Sequence, residues 1–146
     1  MPGRLGMEST STIIAFVVLT VAAGAAVVAA EDTMFSGESL ASGQFLESGP
    51  YTFIMQDDCN LVLYVNKNKA LWASGTSRKG SSCHADLQSS GNLVVFSGTG
   101  DVLWTSNSSR GPNSYRLIMQ TDGNVVIYGA AVWATNTVQS RKKRLL

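Results

Sequence analysis

A nine-residue pattern that mixes polar and apolar side chains occurs three times in the chain. The copies start at Gln56, Gln88 and Gln120, 32 residues apart each time, and read QDDCNLVLY, QSSGNLVVF and QTDGNVVIY. In an extended strand alternate side chains share one face, so the odd-numbered positions of each copy are expected to form one outer row. In the two complete copies this row contains Gln56, Asp58, Asn60, Val62 and Tyr64, and Gln120, Asp122, Asn124, Val126 and Tyr128.

The row has the chemistry of a sugar site. Glutamine and asparagine donate and accept hydrogen bonds, aspartate only accepts, and tyrosine adds a hydroxyl. Vicinal sugar hydroxyls need paired donors and acceptors, and the C–H edge of the ring needs an apolar contact, which the valine supplies. The alternative is that aspartate and asparagine make local backbone bonds at turns or bulges, while glutamine and tyrosine cover the sheet.

The middle copy departs from the pattern at two positions. Ser90 replaces the aspartate and Phe96 replaces the tyrosine, which leaves Gln88, Asn92 and Val94. Each missing hydrogen bond costs on the order of 1 kcal/mol. We therefore predict that the middle site is weak or silent.

The sequence offers few groups for catalysis. His84 is the only histidine, no Gly-x-Ser-x-Gly motif accompanies it, and we expect it in a loop. Asp57 and Asp58 are adjacent and expected on opposite sides of a strand, which makes them unsuitable as a glycosidase pair. The sequence contains no Cys/His cluster with the spacing of metal ligands and no calcium-binding loop motif. We predict a binding protein without metal or other cofactor, and an enzyme is the least favoured class.

Short strands are expected to position these rows. Val, Ile, Tyr, Phe and Trp dominate the periodic segments, Gly, Asn, Ser and Asp separate them, and a tryptophan follows each copy, at Trp72, Trp104 and Trp133. A 32-residue repeat indicates one supersecondary unit used three times. We predict twelve antiparallel strands, four per repeat, in three sheets that bury the tryptophans on a pseudo-threefold axis. A propeller or a trefoil barrel would also give threefold repetition.

The pattern Gln-x-Asp-x-Asn-x-Val-x-Tyr resembles the signature of the monocot mannose-binding lectins, the bulb or snowdrop-agglutinin type. The resemblance runs from about Phe35 to Asn136 and includes SGESLASGQFL, FIMQDDCNLVLY and the recurring W-A-S/T turn. It implies an all-β fold, the β-prism II of three four-stranded antiparallel sheets with axial tryptophans, and a disulfide between Cys59 and Cys83.

The resemblance also implies a role for each residue of a complete row. Asp58 and Asn60 would contact the axial 2-hydroxyl of mannose, Gln56 the 3-hydroxyl and Tyr64 the 4-hydroxyl, while Val62 packs on the ring carbons. The third copy would repeat these roles with Gln120, Asp122, Asn124, Val126 and Tyr128. The implied partners are mannose-rich glycans or glycoproteins, and the implied biological role is plant defence or storage. Members commonly dimerise by exchanging C-terminal strands, so a homodimer stays open. The alternative function is a sugar-inactive storage or protein-binding member of the same fold.

The chain divides into a leader, a body and a tail. Residues 1–30 are predicted to be a signal peptide cleaved before Glu31, because an uncharged apolar run ends in small residues. The alternative is a transmembrane anchor. The lectin-like body, residues 31–140, has six Lys/Arg and nine Asp/Glu, a net charge of −3 that argues against nucleic acid. We expect a secreted or vacuolar protein with no membrane attachment after cleavage. The basic tail, residues 141–146, is either a trimmed propeptide or sorting segment, or a solvated end.

Two covalent modifications are expected in the secretory pathway. Cys59 and Cys83 are the only cysteines and both follow the leader, so an oxidising compartment would pair them; the alternative is two free buried thiols. Asn107 begins the sequon Asn-Ser-Ser in a loop expected just after Trp104. A plain polar turn is the alternative there.

Overall fold

The computed structural model describes residues 16–20, 26–129 and 132–139. The predicted basic tail, residues 141–146, lies outside these ranges, as does much of the predicted leader. Within the predicted leader, β1 (Phe16–Thr20) and β2 (Ala26–Ala30) pair as antiparallel strands. In the described ranges no helix has the length and apolar character needed to cross a bilayer. The cleavage of the leader stays a prediction.

Twelve short strands follow β2 and form three four-stranded antiparallel sheets. The first sheet has the order β5-β6-β7-β8, the middle sheet β11-β10-β9-β4 and the third sheet β14-β13-β12-β3. The strands are β3 (Thr33–Phe35), β4 (Ser39–Ala41), β5 (Phe45–Ser48), β6 (Tyr51–Met55), β7 (Leu61–Val65), β8 (Lys69–Ala73), β9 (His84–Leu87), β10 (Leu93–Phe96), β11 (Val102–Thr105), β12 (Arg116–Met119), β13 (Val125–Tyr128) and β14 (Trp133–Ala134). The predicted number of strands and sheets is confirmed.

The distribution of strands among the repeats differs from the prediction of four per repeat. The second and third repeats each contribute only three strands, β9 to β11 and β12 to β14. Their fourth strands, β4 and β3, come from the segment that precedes the first sheet. The edges of these two sheets are therefore completed by residues 33–41.

The core lies between the inner faces of the three sheets. The three motif strands begin with three consecutive buried residues, and the strands that precede them, β6, β9 and β12, alternate between buried and more exposed residues. Alternation is the sign of a strand with one face in the core. The largest fully buried side chains include Phe53, Leu63, Leu93, Leu117 and Ile127.

The three tryptophans meet one another as predicted, but none is fully buried. Trp72, Trp104 and Trp133 contact edge to face, with ring centroids 5.2 to 5.6 Å apart, and each packs against the core while remaining half-exposed. Edge-to-face pairs at this separation are favourable. The axis is therefore lined by an aromatic triad, and the fully buried centre is formed mostly by aliphatic residues.

One disulfide joins the first repeat to the second. Cys59 and Cys83 are bonded, and both are buried, so the predicted pairing is confirmed. Cys59 lies in the turn before β7, and Cys83 directly precedes β9. A bond between residues 24 positions apart stabilises the fold by about 3.5 kcal/mol in the chain-entropy model.

Candidate functional site

The first half of each motif is a tight turn, which corrects the expectation of one continuous strand. In the first copy the Cys59 N–H donates to the Gln56 carbonyl at 3.0 Å, and the Gln56 N–H donates to the Asn60 carbonyl at 2.9 Å. Cys59 has φ of +75°, and glycines at φ of +89° and +87° occupy the same place in the other copies. That region disfavours side chains with a Cβ, so the turn needs glycine or a residue held by another constraint. Here the disulfide holds Cys59.

The turn nevertheless brings the predicted polar groups of the first row together. The Gln56 Nε2 donates to Asp58 Oδ1 at 3.0 Å, and the Tyr64 hydroxyl donates to Gln56 Oε1 at 2.5 Å. The glutamine amide therefore connects the carboxylate to the phenol across the mouth of the turn. All three side chains are partly exposed, so they remain accessible to a ligand.

The Asp58 carboxylate is held ionised by its neighbours. Burial alone would raise its pKa, but hydrogen bonds to the carboxylate outweigh that effect and lower the pKa below the ordinary value. The donors are the Asn60 N–H at 2.9 Å, the Gln56 amide and the Ser77 hydroxyl at 2.8 Å. Hydrogen bonds to the charged form of a carboxyl favour that form. The site therefore offers an anionic acceptor in a fixed position.

Asn60 fastens the turn that follows β8. Its Oδ1 accepts from the Ser74 hydroxyl at 3.2 Å and from the N–H groups of Gly75 and Thr76 at 3.0 and 3.1 Å. The local backbone bonding considered as an alternative to a sugar site is thus present in this residue. The Nδ2 group is the remaining polar atom of the side chain and is the one suited to donate to a ligand.

Val62 faces outward but offers less surface than predicted. It pairs with Ile54 on one side and Ala73 on the other, and only 2% of it is exposed. In the third row Val126 is 5% exposed. Each valine can therefore give a ligand ring only a narrow contact, because neighbouring side chains cover the rest.

The third row repeats the geometry of the first. The Gln120 Nε2 donates to both Asp122 oxygens, at 3.0 and 3.3 Å, and the Tyr128 hydroxyl donates to Gln120 Oε1. The Asn124 N–H donates to Asp122 at 3.0 Å, and the Asn124 Oδ1 anchors the turn after β14 through Thr135 and the Thr137 N–H. Ser77 has no hydroxyl counterpart here, since Val138 occupies that position.

The middle row keeps the scaffold and lacks the ligand-binding groups. Asn92 Oδ1 accepts from Thr105, Ser106 and Ser108, as its counterparts do in the other rows. Gln88 has neither a carboxylate nor a phenol to connect, because Ser90 and Phe96 occupy those positions. The Ser90 hydroxyl accepts from the Ser109 hydroxyl at 3.3 Å.

The histidine expected in a loop is in a strand of the middle sheet. His84 is the first residue of β9; its ring lies 5.5 Å from the Phe96 ring in a stacked arrangement, and its Nδ1 is 2.6 Å from Asp86 Oδ1. The carboxylate also accepts from the Ser39 hydroxyl. An aromatic pair therefore covers the end of the middle row where the complete rows present a phenol.

Sequence reasoning missed the residues that flank the rows on neighbouring strands. A cleft of about 280 Å³ beside Tyr64 is lined by side chains from β5, β6 and the β7–β8 turn, namely Phe45, Glu47, Thr52, Ile54 and Lys67. A second cleft borders Gln120 and Asp122 and includes Asp32 and Ile118. Nothing in the motif marks these residues, since only the strand register places them there.

Three antiparallel four-stranded sheets around a tryptophan triad, each with one copy of the motif, define an all-β protein of the β-prism II class. Solved structures share this fold. One from Gastrodia elata, described as a monomeric monocot mannose-binding lectin, is 50% identical, with a TM-score of 0.70, and the match covers 74% of this chain and 99% of that one. The snowdrop (Galanthus nivalis) agglutinin, solved with methyl α-D-mannoside, is 44% identical, with a TM-score of 0.66, over 75% of this chain and 100% of that one.

Sequence comparison gives the same result. A mannose-specific lectin of Narcissus pseudonarcissus is 48% identical over 61 residues, which is 42% of this chain and 55% of that protein. No protein-family profile matches the chain. The chain belongs to the monocot mannose-binding lectins, a family of carbohydrate-binding proteins. The match spans about half the length of the curated relatives.

Proposed function

We propose that the chain binds terminal mannose of glycans through the first and third rows, without a metal ion, and that it catalyses no reaction. The roles implied for Gln56, Asp58, Asn60, Val62 and Tyr64, and for Gln120, Asp122, Asn124, Val126 and Tyr128, form part of this proposal. The rows present the donors and acceptors for vicinal hydroxyls in a connected, partly exposed arrangement.

The comparison of the middle row with the other two carries the proposal. All three turns use the same asparagine to fasten the following loop, so the fold needs that residue. The middle turn forms equally well with Ser90 and Phe96, so the fold needs neither the aspartate nor the tyrosine. Asp58 and Tyr64, with their counterparts in the third row, are therefore available for binding.

The arrangement favours mannose over glucose through the position of one hydroxyl. Asp58 is an ionised acceptor, and the Asn60 Oδ1 is occupied by the loop, so the Nδ2 group is left to donate. A carboxylate and an amide at one point suit a hydroxyl that both donates and accepts. An equatorial 2-hydroxyl, as in glucose, cannot reach that point, and a lost hydrogen bond to a charged group costs about 1.5–3 kcal/mol, or roughly tenfold or more in affinity.

The carboxylates of the rows are not arranged for catalysis. Asp57 points away from the row and accepts from the Ser42 hydroxyl at 2.7 Å, so it does not face Asp58 across a shared ligand. The carboxylate in each complete row stands alone, and hydrolysis of a glycoside requires two in concert.

A calorimetric titration of the oxidised protein with methyl α-mannoside and methyl α-glucoside tests the proposal. We expect two mannose sites per chain that survive a chelator, and weak or no glucose binding. The variant Asp58→Ala plus Asp122→Ala should lose mannose binding, while Ser90→Ala, the same truncation in the middle row, should not change it. A folded protein that binds neither mannoside nor mannose-rich glycans would favour a storage or protein-binding role, for which the incomplete middle row is the supporting observation.

Two sites on different faces also support a role in crosslinking branched glycans. Simultaneous binding raises the apparent affinity by about 10²–10⁴ over a single site when the geometry allows it.

We further propose that the protein is secreted or vacuolar and serves in plant defence, which rests on the predicted leader and on the family. Asn107 is exposed in the loop after β11 and suits N-glycosylation on that route.

A further inference from the structure

The two complete rows differ in the side chain that pairs with their tyrosine. On the neighbouring strand, Thr52 lies opposite Tyr64, and Arg116 lies opposite Tyr128. The next strand outward adds Glu47 beside Thr52 and Phe35 beside Arg116. Directly opposite residues have Cβ atoms about 5 Å apart, so these side chains border the sugar rows.

In the third row the bordering group is a cation. The Arg116 guanidinium lies 5.7 Å from the centroid of the Tyr128 ring, and Arg116 is exposed. Among the described residues the one ion pair is that of His84 with Asp86, so no described carboxylate neutralises the arginine. Phe35, 54% exposed, flanks it with an apolar surface. The phenol of this row therefore stands under an accessible guanidinium.

In the first row the corresponding place carries no net charge. The cleft beside Tyr64 is lined by one acid, Glu47, and one base, Lys67, with the neutral Thr52 between the acid and the tyrosine. The row carboxylates, Asp58 and Asp122, are common to both sites. The charge difference beside the two tyrosines thus comes from the bordering residues, while the Asp32 carboxylate borders Gln120 and Asp122 in the second cleft.

We infer that the third row, unlike the first, prefers mannose that bears an anionic ester on the side facing the tyrosine, with Arg116 as the residue that sets this preference. The inference rests on the proposed mannose binding. In mannose the C4 hydroxyl and the C5 hydroxymethyl group are neighbours, so a ligand whose 4-hydroxyl meets Tyr128 carries its C6 substituent near the guanidinium. A planar guanidinium binds phosphate and sulfate oxygens through paired N–H donors.

The experiment compares the two sites in isolation on the full chain. Asp58→Ala leaves the third row and Asp122→Ala leaves the first, and each variant is titrated with methyl α-mannoside, its 6-phosphate and its 6-sulfate. The readout is the ratio of ester affinity to mannoside affinity, because a change common to both ligands cancels. At about 20 mM salt we expect this ratio to be about two- to fivefold higher for the third row, the range of an exposed ion pair, and to fall in 0.5 M salt.

Exchange of the bordering residues completes the test. In the Asp58→Ala background Arg116→Thr should remove the preference and Arg116→Lys should retain part of it; in the Asp122→Ala background Thr52→Arg should create it. A preference for phosphate but not sulfate would identify the divalent ester as the ligand, and equal preference would identify any anionic ester. Equal ratios in both rows, with mannoside still bound, would refute this inference alone, whereas loss of mannoside binding from both variants would refute the proposed function.

Discussion

Rebuilding the middle row is the most direct test of how the motif works. The variant Ser90→Asp plus Phe96→Tyr restores the two missing groups on a turn that already has the required shape. Asn92 holds the following loop, and the Ser109 hydroxyl lies 3.3 Å from the Ser90 hydroxyl, where Ser77 donates to Asp58 in the first row. We expect the new carboxylate to find its partners without movement of the backbone.

The expected gain follows from the bonds restored. A neutral hydrogen bond contributes about 1 kcal/mol and one to a charged group about 1.5–3 kcal/mol, so the two substitutions together should contribute about 2.5–4 kcal/mol. That is roughly a hundredfold to a thousandfold in affinity at the middle site. The stacking of the Phe96 ring on His84 could limit this gain, since the hydroxyl added by Phe96→Tyr reaches Gln88 only if the stacked ring leaves it room.

Calorimetry with methyl α-mannoside measures the result as a number of sites per chain. We expect two in the unaltered protein and three in the double variant, whereas Ser90→Asn plus Phe96→Tyr, which restores shape but not charge, should give a weaker third site. Three equal sites in the unaltered protein would show that the row residues do not determine binding. A folded double variant that still titrates two would show that the carboxylate and the phenol are insufficient.

Three further predictions concern acidity and packing. Hydrogen bonds lower the pKa of the Asp58 carboxyl below 3.8 in the folded protein, so the stabilising contribution of Asp58 is complete above its unfolded-state pKa and is lost as the pH falls through its folded-state pKa. A variant that keeps only the first row should therefore bind mannoside until the pH is below 3.8. Calorimetric titration at successive pH values measures this. Gly123→Ala should destabilise the fold by more than Gly37→Ala in urea unfolding, because both have positive φ but only the Gly123 Cβ would meet an aromatic ring, that of Tyr51, at 3.0 Å; equal losses would contradict the packing argument. Thr52→Val should raise the unfolding free energy by about 1 kcal/mol, since the Thr52 hydroxyl oxygen is buried without a hydrogen-bond partner; a loss of stability would show that it is satisfied in solution.

The parts of the fold that could be predicted from sequence are those that one repeat contains. Each 32-residue repeat contains one motif and one tryptophan, so alignment of the three copies reveals the shared strands. The edge strands β3 and β4 could not be assigned in this way, because they pair with β12 and β9 about 45 to 85 residues further along the chain. Long-range pairing of three-residue strands leaves no periodic signal in a sequence.

The candidate site shows the same division. The row residues were identified because they recur, yet their geometry was wrong in one respect, since Gln56 to Asn60 form a turn whose left-handed residue is a cysteine in one copy. Glycine at this position in the other two copies indicates a positive φ, whereas a cysteine does not. The bordering residues, Thr52 and Arg116, could not be identified at all, because their place beside the tyrosines depends on strand register.

The motif combines two kinds of residue whose requirements are separable. Asn92 and its counterparts hold the loops that follow β8, β11 and β14, and a left-handed residue closes the turn before each motif strand, β7, β10 and β13, so loss of either would disturb the sheet. Ser90 and Phe96 show that the positions for charge and phenol tolerate other side chains without change to the turn. Binding at one face can therefore be lost or restored while the prism stays intact, and the number of sites per chain is set by side chains that the turn does not require.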